Sequence, residues 1–427
     1  MINYTVVPAQ KLHGEILVPG DKSVTHRAFI LSSLAEGKSK LTGALEAGDC
    51  MNTMKIMTQL GVPISKIRTG EYEVRGVGLH GLRQSQTILD VGNSGTGIRL
   101  LTGMLAAQKF ESEITGDASI QKRPMERVIK PLSLMGAHIS SQNGLAPLKI
   151  HAATQLTGIT YAMPVSSAQV KSAIMLAALF AEGETVITDP GISRDHTERM
   201  FQLFDIPVQF KKGEVRVSGV KSFKAKNIVI PGDFSSAAFF MVAGLIHPHA
   251  EIKILNVGLN PSRAALLEVL KKMGAQIEVE MTSGATGEPT GNITVKSSQL
   301  KGTELSGEMI SILIDEIPIF CVLASQASSQ SIVKDAQELK VKESNRIAST
   351  VSELKKMGVN ITATDDGMVI MPSPHIEGGD VDSHGDHRIA MSCAILGLLA
   401  KSETNISDIE CVNTSFPNFW SLLEKIC

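Results

Sequence analysis

Hydrophobic and polar positions repeat along this chain at intervals of 65 to 80 residues. Six times, an apolar stretch of helical length is followed by a short polar break and by an alternating run that is typical of a β-strand. The apolar stretches begin at Ala28, Ile98, Ser172, Ala237, Ile317 and Ile389. This spacing predicts one supersecondary unit that occurs six times.

A second amphipathic helix is predicted in each unit. These helices end in similar sequence segments, such as SLMG at 133–136 and KKMG at 355–358. The glycine of each segment is expected to adopt the left-handed conformation and end the helix. Two alternating segments around a turn usually follow, and they predict a pair of strands. The unit is therefore β-α-β-α-β-β, and the sixth copy stops at its second helix.

The lead-in to the first copy, EILVPGDKS at 15–23, nearly matches the lead-in to the fourth copy, NIVIPGDFS at 227–235. This match indicates a duplication of three units. We predict an α/β fold of two domains, with residues 20–230 in one domain and residues 1–19 plus 231–427 in the other. The active site is expected in the cleft between the two domains.

The composition narrows the class of protein. Residues are 43% hydrophobic but only 4% aromatic, so aliphatic side chains are expected to fill the cores. The net charge of −2 argues against a nucleic-acid or membrane-surface partner, which would need a basic excess. Five scattered cysteines without a CxxC pair indicate reduced thiols in a cytoplasmic protein, and neither a leader nor a membrane span is expected. His384 and His387 lack a third ligand at helical spacing, so no metal site is predicted.

Positive side chains stand where the predicted helices begin. A helix N-terminus is partly positive, so a cation there costs about 0.3–1 kcal/mol unless an anion lies opposite it. The cations at these positions are Lys22, Arg27, Arg99, Lys122, Arg123, Lys171, Lys342, Arg346, His387 and Arg388. Together they predict two phosphorylated, polyanionic substrates. A single arginine such as Arg27 or Arg123 could instead be structural or solvated, so the prediction depends on the whole pattern.

Two neighbouring carboxylates directly precede a predicted helix. Asp315 and Glu316 allow two interpretations, as caps of that helix or as a general base at the rim of a cationic cleft. Glu343 lies between Lys342 and Arg346, which are predicted to share one face of a helix, and it could act as the acidic partner.

Eight segments carry a resemblance to one known family. In chain order they are PGDKSVTHR, LDVGNSGTGIRLL, QKRPM, PVSSAQVKSA, SRDHTE, ILIDEIP, VKESNRI and GDHRIAM. Over essentially its full length, the chain resembles the 5-enolpyruvylshikimate-3-phosphate synthase (EPSP synthase) family. The resemblance implies a two-domain inside-out α/β barrel of six β-α-β-α-β-β repeats, three per domain, whose helix N-termini point into the interdomain cleft.

The same resemblance implies the reaction. The enolpyruvyl group of phosphoenolpyruvate is transferred to the 5-hydroxyl of shikimate 3-phosphate, and phosphate is released through a tetrahedral intermediate. One group must take a proton from the hydroxyl and another must supply a proton to carbon. No metal and no organic cofactor is needed, a monomer is expected, and glyphosate is a candidate inhibitor.

Residue roles are implied by the matching motifs. Asp315 is the expected proton acceptor, with Glu343 and Lys22 as its acid–base partners. The residues expected to bind shikimate 3-phosphate are Lys22, Ser23, Arg27, Ser167, Gln169, Arg194, Asp315 and Lys342. The residues expected to bind phosphoenolpyruvate are Lys22, Gly95, Arg123, Gln169, Arg346 and Arg388.

The chain departs from the best-known enterobacterial and plant pattern of this family. Ala168 replaces a serine, SRDHT replaces a segment with a tyrosine, and TSFP at 414–417 lacks a lysine. These differences resemble a divergent bacterial branch that is often less sensitive to glyphosate, whereas Gly95 is retained where an alanine can crowd that inhibitor. Glyphosate sensitivity therefore stays open, and so does the phosphoenolpyruvate contact of the absent lysine.

Two other functions remain as alternatives. UDP-N-acetylglucosamine enolpyruvyl transferases share the fold, but they carry an asparagine after the lysine and usually a reactive cysteine before the arginine. Here Ser23 follows Lys22, and no cysteine lies between Cys50 and Cys321. A non-catalytic DNA clamp would spread its cations along helix faces around a basic hole, whereas here they stand at helix starts.

Overall fold

The computed structural model of the chain describes residues 2–191, 193–211, 213–282 and 287–427. Within these ranges lie thirteen α-helices, which are α1 (Lys22–Leu34), α2 (Gly48–Gln59), α3 (Gly95–Leu105), α4 (Glu126–Leu134), α5 (Ala168–Ala178), α6 (His196–Leu203), α7 (Phe234–Ile246), α8 (Ala265–Lys272), α9 (Glu308–Leu313), α10 (Ile317–Ser325), α11 (Arg346–Lys356), α12 (His387–Gly397) and α13 (Phe419–Ile426). Short 3-10 helices cover Ile120–Lys122, Gln337–Val341 and Ile409–Thr414.

The same ranges contain twenty-three β-strands. The first eleven are β1 (Tyr4–Val6), β2 (Leu12–Leu17), β3 (Glu36–Thr42), β4 (Ile64–Arg68), β5 (Glu71–Val77), β6 (Leu89–Asp90), β7 (Ser112–Thr115), β8 (Ile139–Gln142), β9 (Leu145–Ile150), β10 (Thr160–Ala162) and β11 (Glu184–Thr188). The others are β12 (Val208–Lys211), β13 (Glu214–Ser218), β14 (Ile228–Val229), β15 (Ala250–Gly258), β16 (Gln276–Thr282), β17 (Thr290–Lys296), β18 (Glu304–Leu305), β19 (Ser331–Val333), β20 (Ile361–Ala363), β21 (Met368–Ile370), β22 (Gly379–Asp382) and β23 (Thr404–Ser407).

The repeated unit predicted from the hydrophobic pattern is confirmed. The six apolar stretches form α1, α3, α5, α7, α10 and α12, and the second helices are α2, α4, α6, α8, α11 and α13. Helices such as α7 and α10 are apolar on nearly every face, and they are buried along almost their whole length. Their polar positions are therefore concentrated at their N-terminal ends.

Five four-stranded sheets share one strand order. In each sheet two parallel strands pair, and the second of them pairs antiparallel with a following hairpin, as in β6-β7-β9-β8. The strands that lead into the two halves are exchanged, because β2 precedes α1 but pairs with β15, and β14 precedes α7 but pairs with β3. In the sixth copy, β22 and β23 pair in parallel and β1 adds to them antiparallel.

The chain separates into two compact units. Unit N is Gly20–Ile230 together with a short stretch that ends at Glu288. Unit C consists of the residues up to Pro19, those from Pro231 to Thr282 and those from Pro289 onward. Each unit has its own hydrophobic core. In unit N, α3 packs against α1 and α5, and in unit C, α7, α10 and α12 pack against one another.

A search of the described ranges finds no helix that is both long and apolar enough to cross a membrane.

Gly103 in α3 allows the backbone of α5 to come close. A Cβ at this position would lie 2.2 Å from the carbonyl oxygen of Ala173. We therefore expect Gly103→Ala to lower the free energy of unfolding by roughly 1–3 kcal/mol, because the two helices must move apart. Gly48→Ala is the control, since a Cβ there meets nothing within 4 Å. Urea-unfolding midpoints compare the two variants, and equal midpoints would contradict the packing argument.

Candidate active site

Lys22 is the first residue of α1, and its side chain is half-buried. Asp21 caps the helix, with its Oδ1 accepting a hydrogen bond from the backbone N–H of Val24 at 2.9 Å. The Lys22 Nζ lies 3.2 Å from Asp49 Oδ2 in α2. Ser23 follows in the same turn and is also half-buried. The start of α1 thus carries an ammonium group that has a carboxylate partner and is partly exposed.

Arg27 is buried further along α1. Its Nε donates to Thr197 Oγ1 at 2.7 Å, and its Nη2 donates to Ser172 Oγ at 2.7 Å. Its Nη1 donates to the backbone carbonyl of Ser23 at 2.9 Å. Burial lowers the pKa of Arg27 to about 10 against the pull of neighbouring carboxylates, and the charge of Arg194 adds to the lowering. Arg27 therefore joins α1 to α5 and α6 and remains cationic at neutral pH.

Lys171 is buried in α5, where its Nζ lies 2.6 Å from Glu198 Oε1 and 4.0 Å from Asp189 Oδ2. These carboxylates neutralise its charge inside the protein. Lys171 therefore does not add to the anion-binding capacity predicted from the helix starts. Arg194 is half-buried in the loop between β11 and α6, near Arg27.

Gly95 is the first residue of α3, and it leaves room for two guanidinium groups. A Cβ there would lie 2.8 Å from Arg123 Nη1 and 3.1 Å from Arg99 Nη1. Arg99 Nη1 donates to the Gly95 carbonyl at 2.9 Å and to Gln169 Oε1 at 3.0 Å. The Gln169 Nε2 donates in turn to Thr96 Oγ1 at 2.9 Å. These contacts tie the start of α3 to the start of α5.

Ser167 caps α5, because its hydroxyl accepts a hydrogen bond from the backbone N–H of Val170 at 3.4 Å. Ala168 is the first helical residue, and Gln169 follows it. Both Ser167 and Gln169 are half-buried. Most of the predicted residues of unit N thus stand at the starts of α1, α3 and α5, with Arg27 in the second turn of α1 and Arg123 and Arg194 on adjoining loops.

In unit C, Asp315 is the centre of a second cluster. Its Oδ1 lies 3.4 Å from Arg346 Nη1 and 3.7 Å from Arg388 Nε. Arg388 Nη1 also donates to the backbone carbonyl of Asp315 at 2.7 Å. On the other side, Arg263 Nη1 lies 4.0 Å from Asp315 Oδ2. Three guanidinium groups therefore face one carboxylate, and Arg263 was missed from the sequence because it belongs to no recognised motif.

Arg346 is the most enclosed cation of this cluster, with 1% of its side chain exposed. Its Nε donates to Asp386 Oδ2 at 2.8 Å, and its Nη2 donates to Glu343 Oε2 at 2.6 Å. Burial on its own would lower the pKa of Arg346, but the carboxylates of Glu343, Asp386 and Asp315 outweigh it and raise that pKa. The arginine is therefore locked in its charged form.

Lys342 is half-buried and directly follows the 3-10 helix Gln337–Val341. Because α11 begins only at Arg346, the prediction that Lys342 and Arg346 share a helix face is wrong. Burial lowers the pKa of Lys342, and the charge of Asp315 opposes this lowering. Lys342 therefore belongs to the same charged cluster but approaches it from a loop.

Glu316 stands at the cap position of α10, yet its side chain makes no hydrogen bond to the helix backbone. It is instead fully buried, and it accepts a hydrogen bond from the hydroxyl of Ser235 in α7. The capping interpretation is therefore wrong for Glu316.

The histidines of the SHGDHR segment are engaged with carboxylates. His384 Nε2 lies 2.9 Å from Glu353 Oε1, and His387 Nδ1 lies 4.0 Å from Asp386 Oδ1. Across the part of the chain that the structure describes, no three His, Cys, Asp or Glu side chains are grouped so that they could hold a metal ion.

Comparison with known proteins gives a consistent result. The family model for EPSP synthase (3-phosphoshikimate 1-carboxyvinyltransferase) matches residues 6–423. The 3-phosphoshikimate 1-carboxyvinyltransferase of Geobacter sp. (strain M21) is 48% identical over 429 residues, which cover 100% of this chain and 99% of the relative. That of Bacillus cereus (strain ATCC 10987 / NRS 248) is 48% identical and covers 99% of each chain. A solved EPSP synthase from Acinetobacter baumannii aligns with a TM-score of 0.91 at 43% identity, covering 99% of this chain and 98% of that one.

The buried pair of Arg346 and Asp386 generates a stability prediction. Arg346→Met leaves the Asp386 carboxylate buried without its cation, so we expect a loss of about 3–5 kcal/mol of unfolding free energy at pH 7. Arg346→Met/Asp386→Asn removes both charges and should recover most of this loss. Urea denaturation measures all three proteins, and a single variant as stable as the parent would contradict the pairing.

The stability that the Arg346–Asp386 pair contributes depends on pH. Burial would raise the pKa of Asp386, but Arg346 and His387 outweigh burial and hold it below its usual range. The stability that the pair contributes is therefore present at neutral pH and is lost as the pH falls below about 4, through the lowered pKa. The double variant should lose less stability over that acid range than the parent.

Proposed function

We propose that this chain, which belongs to the EPSP synthase family, transfers the enolpyruvyl (1-carboxyvinyl) group of phosphoenolpyruvate to the 5-hydroxyl of shikimate 3-phosphate and releases phosphate. Membership of this family confirms the resemblance drawn from the motifs and favours the shikimate-pathway transferase over the two alternatives. The observation that carries the proposal is the Asp315 carboxylate among three arginines. A reaction between two phosphorylated anions needs both cations and a proton acceptor.

Shikimate 3-phosphate is bound mainly by the cluster in unit N. Ser167 and Arg194 contact its phosphate, and Ser23 and Arg27 provide further contacts to the molecule. Gln169 and Lys22 contact the ring side, and Asp315 and Lys342 are the contributions of unit C. The position of these unit N residues supports the proposal, because they lie in the first two turns of α1, at the start of α5 and on the loop before α6.

Phosphoenolpyruvate has a phosphate and a carboxylate, and both suit the forked donors of arginine. The groups that bind it are Lys22, Gly95, Arg123 and Gln169 of unit N and Arg346 and Arg388 of unit C. The Nη1 of Arg123 lies in the space that Gly95 provides, and the guanidinium of Arg388 lies beside Asp315. Because the substrates need residues of both units, the predicted cleft between the units is the proposed reaction site.

The reaction divides into addition and elimination. In the addition step, Asp315 accepts the proton of the 5-hydroxyl, and the oxygen forms a bond to C2 of phosphoenolpyruvate. Glu343 or Lys22 supplies a proton to the methylene carbon, which gives a tetrahedral ketal. In the elimination step, the bond from C2 to the phosphate oxygen breaks, the methyl carbon returns its proton, and the double bond forms again. Charges are stabilised by the surrounding cations, and no metal or organic cofactor is used.

The proposed working form is a monomer in the cytoplasm. The five cysteines are free thiols in the structure, as expected in a reducing compartment. Each unit has its own core, which supports a fold that is complete in one chain. Glyphosate is the proposed inhibitor, because it is an anion that would compete for the guanidinium groups beside Gly95.

The role of Asp315 is tested by a charge-neutral replacement. Asp315→Asn keeps the shape of the side chain but cannot accept the proton, so we expect kcat to fall by roughly 10²–10⁴-fold, with binding of both substrates changed only a few-fold. Asp365→Asn is the matched control, because that residue is exposed. Near-normal kcat in Asp315→Asn would exclude it as the proton acceptor.

The overall function is tested by phosphate release from phosphoenolpyruvate. We expect turnover with shikimate 3-phosphate and none with UDP-N-acetylglucosamine, and repeating the assay with glyphosate measures the sensitivity to that compound. Turnover with UDP-N-acetylglucosamine instead would show that the protein acts as a UDP-N-acetylglucosamine enolpyruvyl transferase. Salt-dependent DNA binding without turnover would favour the clamp.

A further inference from the structure

The three arginines of residues 231–427 all surround one carboxylate. They are Arg263, Arg346 and Arg388, and each has a guanidinium nitrogen within 4.0 Å of an Asp315 oxygen. Arg346 and Arg388 belong to segments that the family resemblance explains. Arg263 lies in the loop between β15 and α8, in the sequence NPSR, and none of the reaction steps described above uses it.

Arg263 lies near a different carboxylate oxygen of Asp315 from the other two arginines. Its Nη1 lies near Oδ2, whereas Arg346 and Arg388 lie near Oδ1. The two carboxylate oxygens therefore have separate cationic neighbours. Cations near both oxygens electrostatically disfavour orientations of the carboxylate that move either oxygen away from its cationic neighbour.

Arg263 is itself fixed by groups at the starts of two helices. Its Nη2 donates to Ser235 Oγ at 2.6 Å and lies 3.5 Å from Asp233 Oδ1, the cap of α7. Its Nη1 lies 3.9 Å from Glu316 Oε1, next to the start of α10. With only 4% of its side chain exposed, Arg263 is a buried link between α7, α10 and Asp315.

The buried carboxylate of Glu316 requires a cation near the start of α10. This carboxylate has no exposed surface, and it precedes α10 directly beside Asp315 in the chain. A buried carboxylate without a cation is costly, and its negative charge would favour protonation of a neighbouring acid. Arg263 balances Glu316, so that Asp315 can remain a charged proton acceptor.

The duplicated lead-in sequence supports the same conclusion. In the first copy, PGDKS puts Lys22 after the helix cap Asp21. In the fourth copy, PGDFS has Phe234 at the corresponding position after the cap Asp233. The first helix of the fourth copy therefore has no lysine at this position, and Arg263 brings a cation to the same helix start from another loop.

We propose that Arg263 is a positioning residue, which orients the Asp315 carboxylate for proton transfer and balances the charge of Glu316. This inference rests on the proposed function for the identity of the proton transfer. Arg263 acts through Asp315 and has no assigned contact with either substrate. Its loss should therefore affect kcat more than the KM of either substrate.

The first test is the pair of variants Arg263→Gln and Arg263→Gln/Glu316→Gln. Both should lower kcat by roughly 10–100-fold, because Oδ2 loses its nearby cation and the carboxylate can turn away. KM for both substrates should stay within about threefold. The double variant removes one buried charge of each sign and so costs less stability than the single variant, which keeps the test valid where the single variant does not fold.

The pH dependence of kcat distinguishes a positioning role of Arg263 from a purely structural role. The charged groups that face Asp315 are Arg263, Arg346, Arg388, Lys342 and Glu316, with Glu343 behind Arg346. Arg263→Gln removes a cation and leaves Glu316, so the acid limb of kcat should move to higher pH. Arg263→Lys keeps the charge, so its acid limb should stay near that of the parent and part of kcat should return. An unchanged acid limb in Arg263→Gln would overturn the charge-balancing role.

The control is Glu353→Gln/Lys356→Met in the same unit. It also removes one buried carboxylate and its cation, which lie 2.7 Å apart, and neither residue belongs to the proposed site. This control should keep the parental kcat and acid limb. If Arg263→Gln/Glu316→Gln behaves like the control, Arg263 is a structural residue only and the inference is wrong.

A crystal structure of Arg263→Gln/Glu316→Gln gives a readout that does not depend on substrates. We expect the Asp315 carboxylate to rotate away from its parental orientation beside Arg346 and Arg388. An unchanged carboxylate would overturn the inference even if the parent protein acts on other substrates. Failure of the parent to use shikimate 3-phosphate would instead count against the proposed function alone.

Discussion

The candidate site in unit C depends on one constraint, which is that its buried arginines and carboxylates must be paired because water does not solvate them. Arg346 has almost no exposed surface, and it is sustained by three carboxylates from different parts of unit C. Removing any one member would leave another charge buried without compensation, which is more costly than never burying the group. The cluster is therefore tightly specified, and its geometry is set before a substrate arrives.

The fold provides this environment through its repeated helices. The first helices of the later copies, such as α7 and α12, are mostly apolar, so their sides are buried in a core and the charged or hydroxyl residues at their N-terminal ends remain near the site. Acidic caps such as Asp21, Asp233 and Asp386 bond the first backbone N–H groups of their helices. In the proposed function, the cationic side chains beside these helix ends are the groups that bind the anionic substrates.

The sequence was sufficient to predict the repeated unit. The spacing of apolar stretches located all six first helices, because a fully buried helix must be apolar on every face. Local pattern was less reliable where a tertiary contact decides the outcome. Lys342 lies outside the helix predicted for it, and Lys171 is neutralised by Glu198, a partner from another helix.

Two further residues show the limit of sequence analysis more clearly. Glu316 has the position of a helix cap, but its side chain turns inward because Ser235 offers a hydroxyl there. Arg263 has no periodic or motif signal at all, and only the packing of its loop against α7 and α10 brings it to Asp315. The domain boundaries, the cleft and the residue roles stay predictions.

The most direct measurement is a crystal structure of the protein with shikimate 3-phosphate and phosphoenolpyruvate bound. The central claim is that Asp315 takes a proton from the substrate hydroxyl while arginines hold the anions. It predicts an Asp315 oxygen within about 2.6–3.2 Å of the 5-hydroxyl, with Arg346 and Arg388 bonded to phosphoenolpyruvate. A 5-hydroxyl that instead contacts another group, with Asp315 bonded only to arginines, would contradict the account.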